Sequence, residues 1–528
     1  MPNKIQIPSE NGPAHPPEST STRPQETMAA GQSAGEDIAW WILAVNTLAF
    51  AVCFAAWMMN GPLTTFLVDK GLFNWSRTQI GVLIAVPVLT GSVLRLPVGV
   101  LCDRFGGRIV YFLLMLVASV PMFLAAYAHS FVEFVLAGLG FGVAGSSFAA
   151  GVAYTSVWFG KQRIGTALGI FGMGNAGAAV TALVAPQLLR HLTAEDLEGW
   201  RMLPKLYSGM LVVTAVLFWF TTRDRRSAGT GTRLAERLAP LQHLRVWRFG
   251  LYYAFFFGGF VALSGWLIPY YVNVYTLSIV TAGPLASVYS FSSSGFRAVG
   301  GWLSDRLGAR RMMFGSLFAS LLFCALLFPA AMVIVTPGEG IVAGANAVVT
   351  RVTPGEIDLA NGKKFVLKQQ DPEKLLDFTT QRRLVLPTAT HWQEPVVQEG
   401  QAVRKGDLLA SGTTRIFFQA NRWVFTLFVF LLACAMGFGM AAVYTHIPTY
   451  FPGQVGVVGG LVGVLGGLGG FFFPIVFGVL LDGTGLWTTC WMFLFLVAGA
   501  CLLWMHLVIR RMMHTEAREL MRRVEQPE

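Results

Sequence analysis

Long apolar runs separated by short clusters of charged residues dominate the hydropathy pattern of this chain. Each run is long enough to cross a bilayer, because about 20 apolar residues in a helix span the hydrocarbon core. Backbone groups in lipid must form their hydrogen bonds within the segment, so we predict that the runs are α-helices. The pattern predicts twelve spans, at residues 40–66, 79–101, 108–127, 131–157, 163–189, 205–221, 248–273, 284–303, 312–334, 423–447, 456–480 and 487–509.

The composition agrees with an all-α membrane protein embedded in the lipid bilayer. Of the 528 residues, 54% are hydrophobic and 13% are charged, about half the charged fraction of a typical soluble protein. Positive residues fall on alternate loops, for example Arg104, Lys161, Arg225 and Arg311. The positive-inside rule predicts that these loops and both termini are cytoplasmic. The net charge of +11 therefore reflects topology, and we expect no binding to nucleic acid.

Two stretches of the chain repeat one arrangement, SVLRLPVGVLCDRFGGR at 92–108 and SSGFRAVGGWLSDRLGARR at 293–311. In each stretch an arginine precedes an aspartate by eight residues. The repeat predicts that six helices were duplicated into two pseudo-symmetric halves. The predicted organisation is a disordered cytoplasmic tail (1–37), an N-terminal six-helix half (38–222), a cytoplasmic linker (223–245), helices 7–9 (246–335), an insert (336–421), helices 10–12 (422–511) and a second cytoplasmic tail (512–528).

The insert at 336–421, between helices 9 and 10, lacks apolar runs and alternates strand-like segments with turn dipeptides. We predict a small β-rich module, which the topology places in the periplasm. Its second half resembles the half-barrel hairpins of biotinyl and lipoyl carriers and the sandwich-barrel modules of RNA polymerase subunits. The Met-Lys-Met turn of the carriers is absent. We therefore expect no cofactor, and a structural module or a docking site for a periplasmic partner.

Arg95 and Arg297 are the only basic residues away from the ends of the predicted spans, and no Asp or Glu lies at comparable depth. An uncompensated arginine in a bilayer costs at least about 2.5–3.5 kcal/mol. Each arginine could bond to helix carbonyls and only pack two helices together. Two of them at equivalent repeat positions, without a carboxylate, instead favour an anionic substrate as the missing counter-charge. Two guanidinium forks suit one small planar oxyanion.

The polar turns that follow the two arginine helices carry a repeated aspartate that the positive-inside rule does not explain. A carboxylate at a helix end, facing basic side chains, can hold neighbouring helices in one conformation. We predict a gating role, and no contact with substrate, for Asp103, Arg104, Arg108, Asp305, Arg306 and Arg310.

Two spans are dense in glycine, GIFGMGNAGAAV at 169–180 and GVLGGLGGFFFP at 463–474. Glycines in a membrane helix allow close backbone approach. Asn175 in the first run could donate a hydrogen bond to an oxyanion, whereas the second run has no amide. Neither run ends in the GK[ST] of a nucleotide loop. The signature glycines are Gly169, Gly172, Gly174, Gly177, Gly463, Gly466, Gly467, Gly469 and Gly470.

The duplicated turns resemble the major facilitator superfamily, and the arginines with the paired glycine runs look like its nitrate/nitrite porter branch. The resemblance covers residues 40–335 and 422–510. It implies that Arg95 and Arg297 clamp the anion and that Asn175 donates a hydrogen bond to it. It also implies aromatic walls from Phe148 on helix 4 and from helix 7. On helix 7 the residues are Tyr253 and Phe257, although their neighbours Tyr252 and Phe256 lie only one residue away.

The resemblance further implies alternating access of the two halves around a central site. We expect a monomeric, non-enzymatic carrier in the bacterial inner membrane that exchanges nitrate for nitrite, because two fixed charges make an empty site costly to close. Proton symport remains open, and the nearest titratable candidates are Tyr253, Tyr444 and His446. A carrier for formate or another monocarboxylate, and a non-transporting anion sensor, also remain open.

Overall fold

The computed structural model describes residues 23–159, 163–225, 238–328, 331–369, 388–419, 421–451 and 455–525. Eleven helices within these ranges are long and apolar enough to cross a membrane. A further long helix, Ile279–Leu307, is less apolar because it carries a run of serines together with Arg297. With it the chain forms twelve long helices, so the predicted fold is confirmed.

The helices of the N-terminal half are α1 (Arg23–Trp57, continued by Asn60–Asp69), α2 (Arg77–Phe105), α3 (Gly107–Tyr127), α4 (Phe131–Ser156), α5 (Thr166–Leu192) and α6 (Leu197–Thr221). Those of the C-terminal half are α7 (Leu244–Val274), α8 (Ile279–Leu307), α9 (Ala309–Leu326), α10 (Arg422–Tyr450), α11 (Val455–Thr484) and α12 (Thr489–Glu525).

Helical segments occur in both predicted tails and in the linker, of which only the N-terminal tail was predicted to be disordered. The backbone is helical from Arg23, within the segment predicted to be disordered, and α12 continues to Glu525 through most of the predicted C-terminal tail. A 3₁₀ turn occupies Ala239–Gln242 in the linker. The rest of the N-terminal tail (1–22) and most of the linker (226–237) lie outside the described residues.

The described residues of the insert between α9 and α10 form seven antiparallel strands: β1 (Ala331–Val342), β2 (Ala347–Val352), β3 (Glu356–Leu359), β4 (Lys364–Val366), β5 (Thr388–Pro395), β6 (Ala402–Val403) and β7 (Leu408–Gln419). They form one sheet in the order β1-β7-β5 and another in the order β4-β3-β2-β6. A small core separate from that of the helices includes Val349, Ile357 and Leu409. The predicted β-rich module is therefore present.

The predicted boundary between helix 9 and the insert is wrong. The ninth span was predicted to reach residue 334, but α9 ends at Leu326 and β1 begins at Ala331. Hydropathy does not separate the end of an apolar helix from an apolar strand. Pairing with β7 places residues 331–334 in a strand, since Val333 is opposite Phe417 and Val335 is opposite Arg415.

Besides α1, which is broken between Trp57 and Asn60, four of the described helices are irregular within their length. In α2 the α-helix Arg77–Val93 ends and a new helical segment begins at Arg95. Short 3₁₀ segments interrupt α4 at Gly142–Ser146 and α5 at Met173–Ala176. A π-helical turn interrupts α7 at Ala254–Gly258. Such irregular turns inside helices often mark functional sites.

Candidate functional site

The two repeat-related arginines converge on one aromatic ring. Arg95 is 4% exposed, and its Cζ lies 5.3 Å from the ring centroid of Phe148. The Cζ of Arg297, which is half-buried, lies 5.7 Å from the same centroid. Arginines 202 positions apart in the chain are thus neighbours at the interface of the two halves.

Neither guanidinium has all its donors satisfied. Arg95 Nη1 donates to the carbonyl oxygen of Gly463 at 2.7 Å, but Arg95 Nε and Nη2 are buried without a hydrogen-bond partner. Arg297 Nη2 donates to Tyr253 Oη over 3.4 Å, and Arg297 Nη1 has no partner. Buried donors without partners each cost about 1–3 kcal/mol, and more when charged. The arrangement can therefore bind an acceptor that is negatively charged.

Aromatic residues of α7 line the same place. The ring centroid of Phe257 lies 5.1 Å from Arg95 Cζ, and the rings of Tyr253 and Phe257 stack at 5.2 Å with an interplanar angle of 3°. The π-helical turn begins between them. The adjacent Phe256 instead packs where a Cβ at Gly439 of α10 would lie. Of the two registers on α7, Tyr253 and Phe257 are thus the pair beside the arginines.

Asn175 lies in the 3₁₀ segment of α5 and is fully buried. Its amide nitrogen and its amide oxygen both lack a hydrogen-bond partner, so the side chain bonds to neither arginine. The nearby Gly172 faces Arg297, since a Cβ there would lie 3.5 Å from Nε and 3.6 Å from Cζ. A Cβ at Gly172 would thus make an ordinary van der Waals contact with the guanidinium, beside which α5 passes.

The glycine runs make close contacts between helices. In α5, a Cβ at Gly174 would meet the ring of Phe50, and one at Gly177 would meet the backbone of Ala51 on α1, whereas Gly169 has open space around it. In α11, Gly466 packs on the ring of Tyr253. A Cβ at each of the other signature glycines of α11 would also have close neighbours: Tyr444 and Arg95 at Gly463, Ser92 at Gly467, Ala254 at Gly469, and Val261 and Val88 at Gly470.

The two halves also meet at the end of the bundle that carries the β insert, which we call the insert end. Asp482 of α11 accepts hydrogen bonds from Arg77 N at 3.1 Å, Thr78 N at 2.8 Å and Thr78 Oγ1 at 2.6 Å on α2. Arg77 Nη2 donates to Asn273 Oδ1 of α7 at 2.9 Å. The described helices are therefore joined across the halves at the insert end.

The predicted gating residues lie at the opposite end, where α2 meets α3 and α8 meets α9. Arg108 Nη2 donates to the carbonyl oxygen of Trp219, and its Cζ lies 4.2 Å from the ring centroid of that residue. Gly106 adopts φ +92°, with the carboxylate of Asp224 2.9 Å from its Cβ position. At the equivalent Gly308, with φ +87°, no atom lies within 4 Å. The other residues of the set, all exposed, are Asp103, Arg104, Asp305, Arg306 and Arg310.

Two groups at the site were not predicted as binding groups. Tyr444, considered only as a proton carrier, stacks edge-on to Tyr253 at 5.0 Å and donates to Gly459 O at 3.1 Å. The carbonyl oxygen of Gly463 holds Arg95. The only sequence signal for Tyr444 was a phenol in an apolar run. His446 packs instead against Phe249 and Tyr450, with centroid distances of 5.6 and 5.0 Å.

Comparisons with known proteins agree with this geometry. Residues 47–362 match the family model of the Major Facilitator Superfamily. The chain is 37% identical over 486 residues, 91% of its length and 94% of the relative, to the "Probable nitrate/nitrite antiporter NarK1" of Thermus thermophilus. It is 35% identical over 310 residues, 57% of its length and 74% of the relative, to the "Probable nitrate/nitrite transporter NarK2" of Mycobacterium tuberculosis strain H37Rv.

Among solved structures, the fold is similar to a bacterial homologue of the human lysosomal transporter Spinster in an inward-facing and occupied conformation. The TM-score is 0.56 at 14% identity, over 90% of this chain and 97% of that one. This likeness concerns the fold alone. The family match and the relatives show that the chain belongs to the major facilitator superfamily and, within it, to the nitrate/nitrite porter family.

Proposed function

We propose that the protein is a secondary transporter that exchanges nitrate for nitrite across the bacterial inner membrane. The observation that carries this proposal is the pair Arg95 and Arg297, which share the ring of Phe148 and keep buried donors without partners. Within the described part of the chain, neither arginine forms an ion pair with a carboxylate. The anion itself then supplies the counter-charge.

The shape of the site suits a small planar oxyanion. Guanidinium forks present parallel N–H donors to adjacent oxygens, and the rings of Phe148 and Phe257 lie beside them. Asn175 adds an amide with both atoms available. The names of the relatives, a nitrate/nitrite antiporter and a nitrate/nitrite transporter, support nitrate and nitrite as the anions. Formate or another monocarboxylate is the alternative substrate.

Charge favours exchange over proton symport. The two guanidiniums interact unfavourably with each other, so closing the halves over them without an anion is costly. His446 contacts Phe249 and Tyr450 and has Arg248 and Arg310 as its charged neighbours. A proton carried on that ring would therefore lie among positive charges. The name of the Thermus thermophilus relative, a probable nitrate/nitrite antiporter, also supports exchange.

The hydrogen bonds between the halves at the insert end suit one state of an alternating-access cycle. By the positive-inside rule the insert end is periplasmic, and both termini are cytoplasmic. The structure then corresponds to a state closed to the periplasm. In such a carrier, release of the anion toward the cytoplasm precedes reopening at the insert end. A sensor role would need the periplasmic insert to signal inward, which this topology disfavours.

The test is uptake of labelled nitrate by proteoliposomes that contain nitrite or no anion, without a pH gradient or a membrane potential. We expect uptake only against internal nitrite. Arg95→Lys and Arg297→Lys, which replace a fork by a point charge, should each abolish it. Arg190→Lys, at an exposed position of α5, is the matched control and should transport normally.

Uptake by empty vesicles when the outside is acidified would show that the protein is a proton symporter and not an exchanger. Preferential uptake of formate would show that formate, and not nitrate, is the substrate. No uptake of either anion by wild-type protein would overturn the transporter proposal.

A further inference from the structure

Tyr444 of α10 lies between the elements that hold the two arginines. Its ring is T-shaped against Tyr253, with centroids 5.0 Å apart and an interplanar angle of 82°, and Arg297 Cζ lies 6.0 Å from its ring centroid. On this side, Tyr444 supports the tyrosine that accepts the hydrogen bond of Arg297.

On the other side, Tyr444 contacts the part of α11 that holds Arg95. Its hydroxyl donates to Gly459 O at 3.1 Å. A Cβ at Gly463 would lie 3.0 Å from the same hydroxyl oxygen and 3.7 Å from Arg95 Nη1. Since the carbonyl oxygen of Gly463 accepts the hydrogen bond of Arg95, the phenol and the guanidinium of Arg95 face one residue of α11.

A positioning group is needed here because the two arginines are held unequally. The Arg95 hydrogen bond is 2.7 Å long, whereas that of Arg297 to Tyr253 is 3.4 Å. A hydrogen bond of 3.4 Å is weak, and the two guanidiniums carry like charges that repel each other. The orientation of Arg297 therefore depends on how firmly Tyr253 is fixed, and Tyr444 is the side chain packed on the edge of that ring.

We propose that Tyr444 is a positioning residue of the anion site, which fixes Tyr253 and the segment Gly459–Gly463 so that both guanidiniums face one anion. This inference rests on the proposed function. Tyr444 acts through Tyr253 and α11, and its hydroxyl is already donated to Gly459 O. Loss of the hydroxyl should therefore weaken anion affinity and leave the rocking of the halves intact.

The first experiment compares Tyr444→Phe with wild type by calorimetric nitrate binding and by nitrate/nitrite exchange. Removing one hydrogen bond that positions the site should raise Kd and KM by about three- to tenfold, with a maximal rate within twofold of wild type. The melting temperature without anion should not change, but the stabilisation by nitrate should shrink. Tyr450→Phe, on the same helix but beside His446, is the matched control and should behave as wild type.

The second experiment uses the contact between Tyr444 and Gly463. Gly463→Ala places a methyl group against the hydroxyl oxygen and should weaken binding more than Tyr444→Phe does. Because Tyr444→Phe removes the atom that the methyl group meets, the double variant should bind nitrate more tightly than Gly463→Ala alone. Such a rescue would show that the hydroxyl oxygen of Tyr444 and residue 463 are in contact in the protein that binds nitrate.

The outcomes separate this inference from the proposed function. If wild-type protein binds no nitrate, the proposed function fails and this inference fails with it. If wild-type protein binds nitrate but Tyr444→Phe has the same Kd and KM, only the positioning role is overturned. A fall in the maximal rate at unchanged KM, or an absence of rescue in the double variant, would also overturn it.

Discussion

The hydroxyl of Thr78 on α2 donates a 2.6 Å hydrogen bond to the carboxylate of Asp482 on α11, across 404 residues of sequence. The same carboxylate accepts the backbone N–H groups of Arg77 and Thr78. The first N–H groups of a helix have no partner within it, and a carboxylate near them is favoured by the helix dipole. A carboxylate of the C-terminal half thus caps the N-terminus of α2 in the other half.

Because this contact joins the halves, Asp482→Asn should weaken closure at the insert end. The amide loses the charge and one acceptor, so the ratio of closed to open protein should fall by about three- to tenfold. Spin labels can be placed at Lys70 and Leu486, which are both exposed and belong to different halves. Double electron-electron resonance then measures the distance between the labels, and the open protein should appear as a second population at longer distance.

The matched control for this experiment is Asp196→Asn. Asp196 caps the N–H of Glu198 within its own half at 3.0 Å, so its replacement should leave the distance distribution unchanged. A wild-type distribution in Asp482→Asn would show that the carboxylate does not hold the halves together.

The signature glycines should differ in their tolerance of alanine according to their neighbours. Gly177→Ala places a Cβ against the backbone of Ala51 and Ala55, whereas Gly169→Ala meets nothing within 4 Å. We expect Gly177→Ala to lower the melting temperature and to abolish exchange, and Gly169→Ala to retain both within twofold. Equal losses in the two variants would mean that the signature acts through backbone flexibility and not through close approach.

The shared ring of Phe148 leads to a prediction about affinity. Phe148→Leu removes the aromatic face that both guanidiniums contact. A cation–π contact contributes about 0.5–2 kcal/mol, so we expect the Kd for nitrate to rise by about two- to thirtyfold in calorimetry. Phe291→Leu, at a residue of α8 that is 45% exposed, serves as the control. An unchanged Kd in Phe148→Leu would exclude the ring from the site.

Asn175 allows a test of charge at nearly constant size. Asn175→Asp places a carboxylate where a fully buried amide lies, and like charge should repel an anion, so we expect binding of nitrate to be lost. Asn175→Ala removes only hydrogen-bonding atoms and should raise Kd by about three- to tenfold. Calorimetry distinguishes the two. Unchanged binding in Asn175→Asp would show that the side chain faces away from the anion.

The sequence by itself determined the features that depend on local composition and repetition. Apolar runs predicted the twelve helices, because each must satisfy its backbone within the bilayer, and the repeated arginine and aspartate revealed the two halves. Turn residues and alternation predicted the β insert. The end of α9 was misplaced because residues 331–334 are apolar in a strand as they would be in a helix.

Tertiary structure decided which groups meet. Only the placement of α4 relative to α2 and α8 brings Phe148 near both arginines. The contact of Gly463 with Arg95 depends on a carbonyl oxygen, which every residue has. Tyr444 contacts Tyr253, and Asp482 contacts Thr78, on helices far away in sequence. Such contacts depend on how whole helices are placed against each other, and no pattern of residue types along one helix records that placement.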